Sequence, residues 1–113
     1  MEVWVCREDE LTTGVVRTAQ LGRDGDGLPI QALLLRDDSG AIVAYRNLCR
    51  HLPVPLDGGT GDLLSEDGMH LICGTHGATY RVHDGYCVEG PCEGMALRPL
   101  TVRVAEGGLY VSL

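Results

Sequence analysis

Two short stretches of the sequence each pair a cysteine with a histidine. Cys49 and His51 stand two positions apart in LCRHL, and Cys73 and His76 stand three apart in LICGTHGATY. Thiolate sulfur and imidazole nitrogen are the side-chain donors best suited to soft or borderline metals such as zinc, copper and iron. Because each stretch supplies one sulfur and one nitrogen, the pattern predicts two loops that converge on one inorganic site.

Two kinds of centre use this set of donors. A structural zinc site takes all four side chains on one ion, whereas a two-iron, two-sulfur cluster with mixed ligands takes both cysteines on one iron and both histidines on the other. In the common zinc finger a Cys-x-x-Cys pair precedes a pair of histidines on a helix. Here each pair is mixed, and the second pair leads into a strand-like stretch. The spacing therefore favours the cluster, while zinc and a purely structural role in the core stay open.

The elements that must position these loops are short strands. Runs rich in Val, Ile, Leu and Tyr alternate with clusters of Gly, Pro and Asp, and no long amphipathic helix pattern is present. Turn-forming stretches such as DDSG, HDG and EGG separate the runs. The pattern predicts an all-β antiparallel sandwich or barrel, with strands at 2–7, 14–21, 29–36, 41–47, 69–74, 79–83, 86–89, 100–106 and 109–113.

Two segments fit no strand. Residues 50–68 contain two prolines and four glycines, and residues 90–99 begin with Gly and end with Pro. The Cys/His pairs lie beside or within these irregular segments. Functional residues commonly lie in such loops, on a rigid scaffold. A chain of 113 residues has room for one hydrophobic core. We therefore expect a single domain over 1–113, with the site inside about 47–95.

The two motifs resemble those of the Rieske family. That family pairs Cys-x-His with Cys-x-x-His, as Cys49, His51, Cys73 and His76 do here, and GPC at 90–92 is similar to the proline-containing loop that covers the family's cluster. The resemblance implies a Rieske-like antiparallel β-sandwich or barrel with a small cluster-binding subdomain formed by two loops. It also implies one [2Fe-2S] cluster per chain, held by these four side chains.

The spacing between the motifs departs from the commoner members of the family. Twenty-one residues separate His51 from Cys73, and the surplus is an acidic, glycine-rich stretch at 57–68. The free energy of closing a loop grows slowly with its length. We therefore expect the extension to change the local surface and to leave the ligand geometry intact.

Two further departures bear on the reduction potential that the resemblance implies. High-potential members carry a disulfide between the cluster loops, and Val54 and Thr75 occupy those positions here. Those members also place a Ser and a Tyr near the cluster as hydroxyl donors to sulfur, whereas this chain has Ala78 and Tyr80. With one donor and no bridge, we expect a potential in the lower or middle part of the Rieske range.

The remaining cysteines and histidines are not predicted to be ligands. Cys6 and Cys87 fall in strand patterns and are expected in the core, whereas Cys92 lies in the covering loop, near the site without being a ligand. A Cys87–Cys92 disulfide is disfavoured in a reducing compartment. His70 and His83 are expected on the surface.

Composition excludes several classes of partner. The formal net charge of −7 repels nucleic acid and anionic lipid. The N-terminal residues lack the basic segment and apolar run of a secretory signal, and no window has the ~20 apolar residues of a membrane span. We therefore expect a cytoplasmic monomer that binds neither nucleic acid nor a membrane.

The resemblance implies an electron carrier and not an enzyme. A ferredoxin that passes electrons from a reductase to an oxygenase fits the chain length, because an oxygenase needs a further iron-binding domain. Two alternatives stay open: a zinc-stabilised or cluster-free interaction or regulatory module, and a protein like the small subunit of nitrite reductase, which shares the fold.

Overall fold

The computed structural model describes residues 2–48, 50, 56, 64–73 and 77–113 of the chain. Within these residues there are nine strands and one short 3-10 helix, Glu8–Glu10. The strands are β1 (Val3–Arg7), β2 (Arg17–Arg23), β3 (Pro29–Arg36), β4 (Ile42–Arg46), β5 (His70–Ile72), β6 (Thr79–Arg81), β7 (Cys87–Glu89), β8 (Thr101–Ala105) and β9 (Gly108–Ser112). In the described part of the chain, no helix has the length and apolar character to cross a membrane.

The strands form three antiparallel sheets of three strands each in the part of the chain described. The terminal sheet has the order β1-β9-β8, the central sheet β2-β3-β4, and the small sheet β5-β6-β7. The segment that enters β8 lies along the edge of the central sheet, since the Leu100 N–H donates to the Ala44 carbonyl at 2.9 Å. The predicted all-β antiparallel class is confirmed.

Strand β3 packs on both of its faces. Side chains of a strand alternate between the two faces of its sheet, and here both sets are buried. Ala32 and Leu34 face one core, whereas Leu33 and Leu35 face another. Full burial of one leucine side chain contributes about 1.5–3 kcal/mol, so β3 stabilises both sides of the central sheet. Continuous burial explains why its sequence, PIQALLLR, shows no polar alternation.

The prediction of one hydrophobic core is wrong, because β3 is buried on both faces and the described residues form two cores. The two cores differ in composition. The terminal-sheet core lies between the terminal and central sheets and is mostly aliphatic, with Cys6 the one thiol among its buried residues. The small-sheet core lies between the central and small sheets and contains Cys73, Cys87 and Cys92 together with two tyrosines. One of these, Tyr45 on β4, donates its hydroxyl proton to the Val82 carbonyl at 2.6 Å and so links the two sheets.

Every predicted strand is present, and its ends shift by three residues or fewer. The largest contraction occurs at 69–74, where only His70–Ile72 is strand because the chain turns at Cys73. Residues 90–99 are irregular, as predicted. Of the irregular segment 50–68, the described residues form a turn at 65–68 and a bridge between Leu64 and Leu71, and the rest lies outside the described residues. The acidic run at 8–10 forms the 3-10 helix, which the strand pattern did not predict.

Candidate metal centre

The hairpin of β5 and β6 positions Cys73. Its last strand pair is Ile72 opposite Thr79, and the chain then turns. The Cys73 N–H donates to the Ala78 carbonyl at 2.8 Å, and the Gly77 N–H donates to the Cys73 carbonyl at 3.0 Å. Gly77 has a φ of +74°, a conformation that favours glycine. These bonds fix Cys73 at the start of a short loop that also contains His76 in sequence.

The Cys73 thiol has the character of a metal ligand. It is 1% exposed, is not part of a disulfide, and packs in the small-sheet core beside aliphatic and aromatic side chains. A thiolate in apolar surroundings is a suitable ligand for iron or zinc, and a metal removes the unfavourable burial of its charge. The described part of this site therefore fits a metal centre that takes sulfur ligands.

The first motif is tied to the second through a tyrosine. The backbone N–H of Arg50, which lies between Cys49 and His51 in sequence, donates to the Tyr80 hydroxyl at 3.0 Å. Tyr80 lies on β6, directly after the turn of the second motif, and is fully buried. Among the described residues, this contact brings the two Cys/His stretches together in space.

Asn47 anchors both ends of the first motif. It follows β4, and its backbone N–H donates to the Gln31 carbonyl at 2.7 Å. Its side-chain Nδ2 donates to Oε1 of Gln31 at 2.6 Å, and its Oδ1 accepts the Leu56 N–H at 2.8 Å. Asn47 and Leu56, which flank Cys49 and His51 in sequence, are thus held together by a hydrogen bond.

The loop that follows β7 packs closely on the second motif. Gly90 has a φ of +99°, and a Cβ at this position would lie 2.7 Å from the Ala78 Cα, closer than real Cβ contacts allow. The following Cys92 is 1% exposed, and its carbonyl accepts the Met95 N–H at 2.9 Å. This is the segment 90–92 that was predicted to cover the site, and it packs against the turn that follows Cys73.

Three of the four predicted ligands, Cys49, His51 and His76, lie outside the described residues, as do Val54 and Thr75. Only Cys73 is placed, so the complete ligand set stays a prediction. Elsewhere in the described residues, no group of three or more His, Cys, Asp or Glu side chains is arranged to hold a metal ion.

The other cysteines lie where the sequence predicted. Cys6 and Cys87 are buried core residues, and neither Cys87 nor Cys92 forms a disulfide. Burial raises the pKa of the Cys6 thiol and keeps it protonated, which suits an inert core residue. The Cys87 thiol donates to the Glu89 carbonyl at 3.2 Å.

The other histidines each lie beside a carboxylate. His83 is exposed and its Nδ1 is 3.8 Å from Asp37, whereas His70 is half-buried with its Nδ1 3.7 Å from Asp67. Hydrogen bonds from Ser39 and Ser65 respectively are the leading reason that the pKa of each carboxyl lies below its usual range. Their bonds hold the turns at 37–41 and 65–69, so these pairs are structural.

Sequence reasoning missed the anchors of the site. Asn47 was interpreted as the end of a strand, and nothing in its local pattern marks Leu56 as its partner. The sequence predicts Gly90 to be a loop residue. Its flanking Pro and its match to the covering loop indicate only in part that it packs closely on the second motif. Long-range contacts of this kind depend on the fold.

Comparison with protein families decides the identity of the domain. A family model described as Rieske [2Fe-2S] domain matches residues 1–104. The chain belongs to this family. No curated protein matches the chain by sequence at a significant level.

Solved structures share the Rieske fold. A reduced complex between oxygenase and ferredoxin in carbazole 1,9a-dioxygenase superposes with a TM-score of 0.74 at 22% identity, over 97% of this chain and 27% of that chain. The terminal oxygenase of carbazole 1,9a-dioxygenase from Nocardioides aromaticivorans IC177 gives 0.69 at 24% identity, over 97% and 29%. The terminal oxygenase of carbazole 1,9a-dioxygenase from Novosphingobium sp. KA1 superposes with a TM-score of 0.69 at 22% identity, over 97% of this chain and 29% of that chain. The likeness at these identities is one of fold, and the chain spans less than a third of each matched chain.

Membership of the Rieske family fixes the cofactor and the general activity. A Rieske domain holds one [2Fe-2S] cluster, in which two histidines replace two cysteines on one iron. The buried Cys73 thiol and the covering loop at 90–92 fit such a cluster. Such a cluster supplies one-electron transfer, which is the general activity that the family implies for this domain.

Proposed function

We propose that this Rieske protein is a ferredoxin that accepts electrons one at a time from a reductase and passes them to an oxygenase. The observation that carries the proposal is the family match over residues 1–104, which supports electron transfer through a cluster. Fold similarity to a chain from a complex between oxygenase and ferredoxin supports the oxygenase partner. The 3.0 Å hydrogen bond from the Arg50 N–H to the Tyr80 hydroxyl supports a single site, because it joins the two ligand motifs. We further propose that the cluster ligands are Cys49, Cys73, His51 and His76 within a single monomeric domain of residues 1–113.

The ligand proposal follows from donor chemistry. Cys73 lies in a dry core, where a thiolate bound to iron avoids the free energy that an unpaired buried charge would lose. In a Rieske centre the histidines bind the second iron, and no described histidine competes for that position, because His70 and His83 lie beside carboxylates. Four protein ligands leave no open coordination position for a substrate, which favours electron transfer over catalysis at the iron.

The chain's own residues do three things in this proposal. Cys73, held by its backbone bonds to Ala78 and Gly77, keeps a sulfur ligand in place. Tyr80 joins the two motifs and excludes water, since it is fully buried. Gly90 allows the covering loop to approach the second motif at a distance that any larger residue would prevent. Together these contacts produce a rigid site, which keeps structural change between oxidation states small.

The first experiment measures the cluster itself. Purified protein should contain two irons and two acid-labile sulfides per chain and no zinc, and its reduced form should give the paramagnetic signal of a Rieske centre. His76→Cys leaves three thiolates and His51 as the proposed ligands, and should replace this signal with one no longer of the Rieske type or abolish it. A colourless protein that contains zinc and no iron would refute the proposal and support the interaction module instead.

The second experiment tests the partner. Protein reduced with dithionite and then freed of dithionite is mixed in a stopped-flow instrument with the oxidised oxygenase of carbazole 1,9a-dioxygenase. One chain of the complex between that oxygenase and ferredoxin has a similar fold over 27% of its length. We expect second-order oxidation of the Rieske centre that slows when salt screens the charges. Oxidation no faster than in air-free buffer without the oxygenase would argue against an oxygenase partner.

A second candidate function has one observation in its favour. The matched chains are several times longer than this one, and two are described as terminal oxygenases. The 113 residues would then act as the electron-accepting domain of a longer chain. Intact mass spectrometry of the protein from its native cells separates the candidates, because a ferredoxin has the mass of this chain, 12.1 kDa, and an oxygenase chain is several times heavier.

A further inference from the structure

Asn47 makes contacts that reach both ends of the first motif. It is 5% exposed, directly after β4 and two positions before Cys49. Its side chain uses both polar atoms: Nδ2 donates to Gln31 Oε1, and Oδ1 accepts the Leu56 N–H across nine positions of sequence. The geometry assigns the orientation of the amide, since only Oδ1 can accept from a backbone N–H.

The bond to Leu56 matters because that residue is fixed in the core. Leu56 is fully buried and packs in the small-sheet core, the same core that holds Cys73. Its N–H is buried as well, so without Asn47 it would lose its acceptor in a place that water does not reach. A shift of Leu56 would therefore move the C-terminal end of the segment 48–55 relative to Cys73.

Gln31 connects this anchor to the most buried sheet. It lies on the central strand β3, where its carbonyl accepts the Asn47 N–H and its side chain accepts from Asn47 Nδ2. The polar chain Gln31–Asn47–Leu56 thus runs from the central sheet to the far end of the segment 48–55. Hydrogen bonds that are buried and mutually satisfied hold side chains in one arrangement.

We propose that Asn47 is a positioning residue for the cluster: it closes the segment 48–55 through Leu56, and Gln31 orients its amide. The inference rests on the ligand set proposed above, because Cys49 and His51 lie in that segment. Asn47 touches no iron in this proposal. Through its bond to Leu56 it fixes the distance between the residues that flank the two ligands in sequence, and loss of this anchor speeds release of the cluster.

The test compares four variants of the cluster-loaded protein. Asn47→Leu removes the acceptor and keeps the volume, and Gln31→Leu removes the partner that orients it. Asn47→Asp keeps an acceptor for Leu56, and the Gln31 amide can turn so that its Nε2 donates to the carboxylate. The matched control is Asp37→Ala, which removes another buried acceptor, at the opposite end of β4, where Asp37 Oδ1 accepts the N–H groups of Ser39 and Ala41.

Two quantities are measured for each variant: the rate at which the visible absorbance bleaches in the presence of a ferrous chelator and reductant, and the resistance to urea unfolding. Asn47→Leu should release iron about tenfold faster than wild type, which corresponds to the loss of the buried hydrogen bond to Leu56, and should be less resistant to urea. Gln31→Leu should change both in the same direction and by less. Asn47→Asp should restore slow release, and Asp37→Ala should lower unfolding resistance while release stays at the wild-type rate.

The outcomes that overturn the inference are distinct from those that overturn the function. If Asn47→Asp releases iron as fast as Asn47→Leu, or if Asp37→Ala releases it equally fast at equal loss of unfolding resistance, Asn47 is only a structural residue. If Asn47→Leu does not fold, Gln31→Leu provides the test. A rate of iron release equal to that of wild type in Gln31→Leu would then contradict the inference. A wild-type protein without a cluster signal instead removes the proposed ligands and function.

Discussion

The two cores of this protein are built by different means. The terminal-sheet core is enclosed by strands of five to eight residues and filled mainly with aliphatic side chains. The small-sheet core is enclosed on one side by strands of three residues and contains three thiols and two tyrosines. Strands that short contribute few ladder hydrogen bonds. The side that carries the metal centre therefore depends on the central sheet, on tyrosine hydroxyls and on the cluster for its rigidity.

The largest expected difference between the cores concerns their thiols. Cys73→Ser should abolish iron binding, because a serine hydroxyl in the small-sheet core is a poor ligand for the iron. Cys6→Ser places the same change in the terminal-sheet core and should keep full iron content, with some loss of unfolding stability. Iron analysis and visible spectra of the two variants check this. Stoichiometric iron in Cys73→Ser would remove Cys73 from the ligand set.

The next comparison uses adjacent leucines of β3. Leu33 faces the small-sheet core and Leu34 the terminal-sheet core, and both are fully buried. Truncation of either to alanine should lower the free energy of unfolding by about 3 kcal/mol. Only Leu33→Ala should also accelerate loss of the cluster, since its cavity lies in the core of Cys73. Equal acceleration by both would show that the cluster responds to global stability and not to its own core.

A comparison of two glycine variants distinguishes the cost of lost close packing from the cost of backbone strain. Gly90 and Gly22 both have φ near +100°, but a Cβ on Gly22 would meet nothing within 4 Å, whereas one on Gly90 would meet the backbone of Ala78. Gly22→Ala should cost about 1 kcal/mol of unfolding free energy. Gly90→Ala should cost about 2 kcal/mol or more, because the backbone must also shift, and should displace the covering loop. Urea unfolding provides the measurement, and equal losses would mean that the covering loop yields freely.

Tyrosine hydroxyls give a smaller effect with an electrochemical readout. The Tyr80 hydroxyl oxygen accepts the Arg50 N–H at 3.0 Å. The resemblance of the motif to the high-potential Rieske proteins predicts that this hydroxyl donates to a ligand sulfur. Loss of a bond worth ~1 kcal/mol more in the reduced state lowers a one-electron potential by about 40 mV. Tyr80→Phe should therefore lower the midpoint by that amount in voltammetry, whereas Tyr45→Phe, whose hydroxyl donates to Val82 instead, should leave it in place. An unmoved midpoint in Tyr80→Phe would exclude the sulfur contact.

The smallest effect appears only at alkaline pH. Burial, with a lesser contribution from Asp84 and Asp37, raises the pKa of Tyr45 to about 12. The folded protein therefore holds this proton at pH values where the unfolded chain, with a tyrosine pKa of about 10, has lost it. The free energy of unfolding should fall as the pH rises from about 10 towards 12. Tyr45→Phe should reduce the slope of this fall by an amount that corresponds to at most one proton. The same slope in Tyr45→Phe and wild type would place the titration on other groups.

Much of the fold was predictable because its signals are local. The run PIQALLLR and the turn DDSG predict β3 and the turn to β4, and both are present. The site was predictable as a set of residue types, and Cys73 is buried at the turn where the motif placed it. The contacts that hold the site were not predictable. Asn47 meets Leu56 and Gln31 only because β3 and β4 pair in one register, and nothing near Asn47 in sequence encodes that.

The double burial of β3 restricts how the length of this chain can change. An insertion or deletion of one residue inside β3 would exchange its faces, sending Leu33 and Leu35 to the terminal sheet and Ala32 and Leu34 to the small sheet. Both cores would then be mispacked by a single event. Length variation among descendants of this sequence should thus accumulate in exposed turns such as the one at 24–28, and β3 should keep its length.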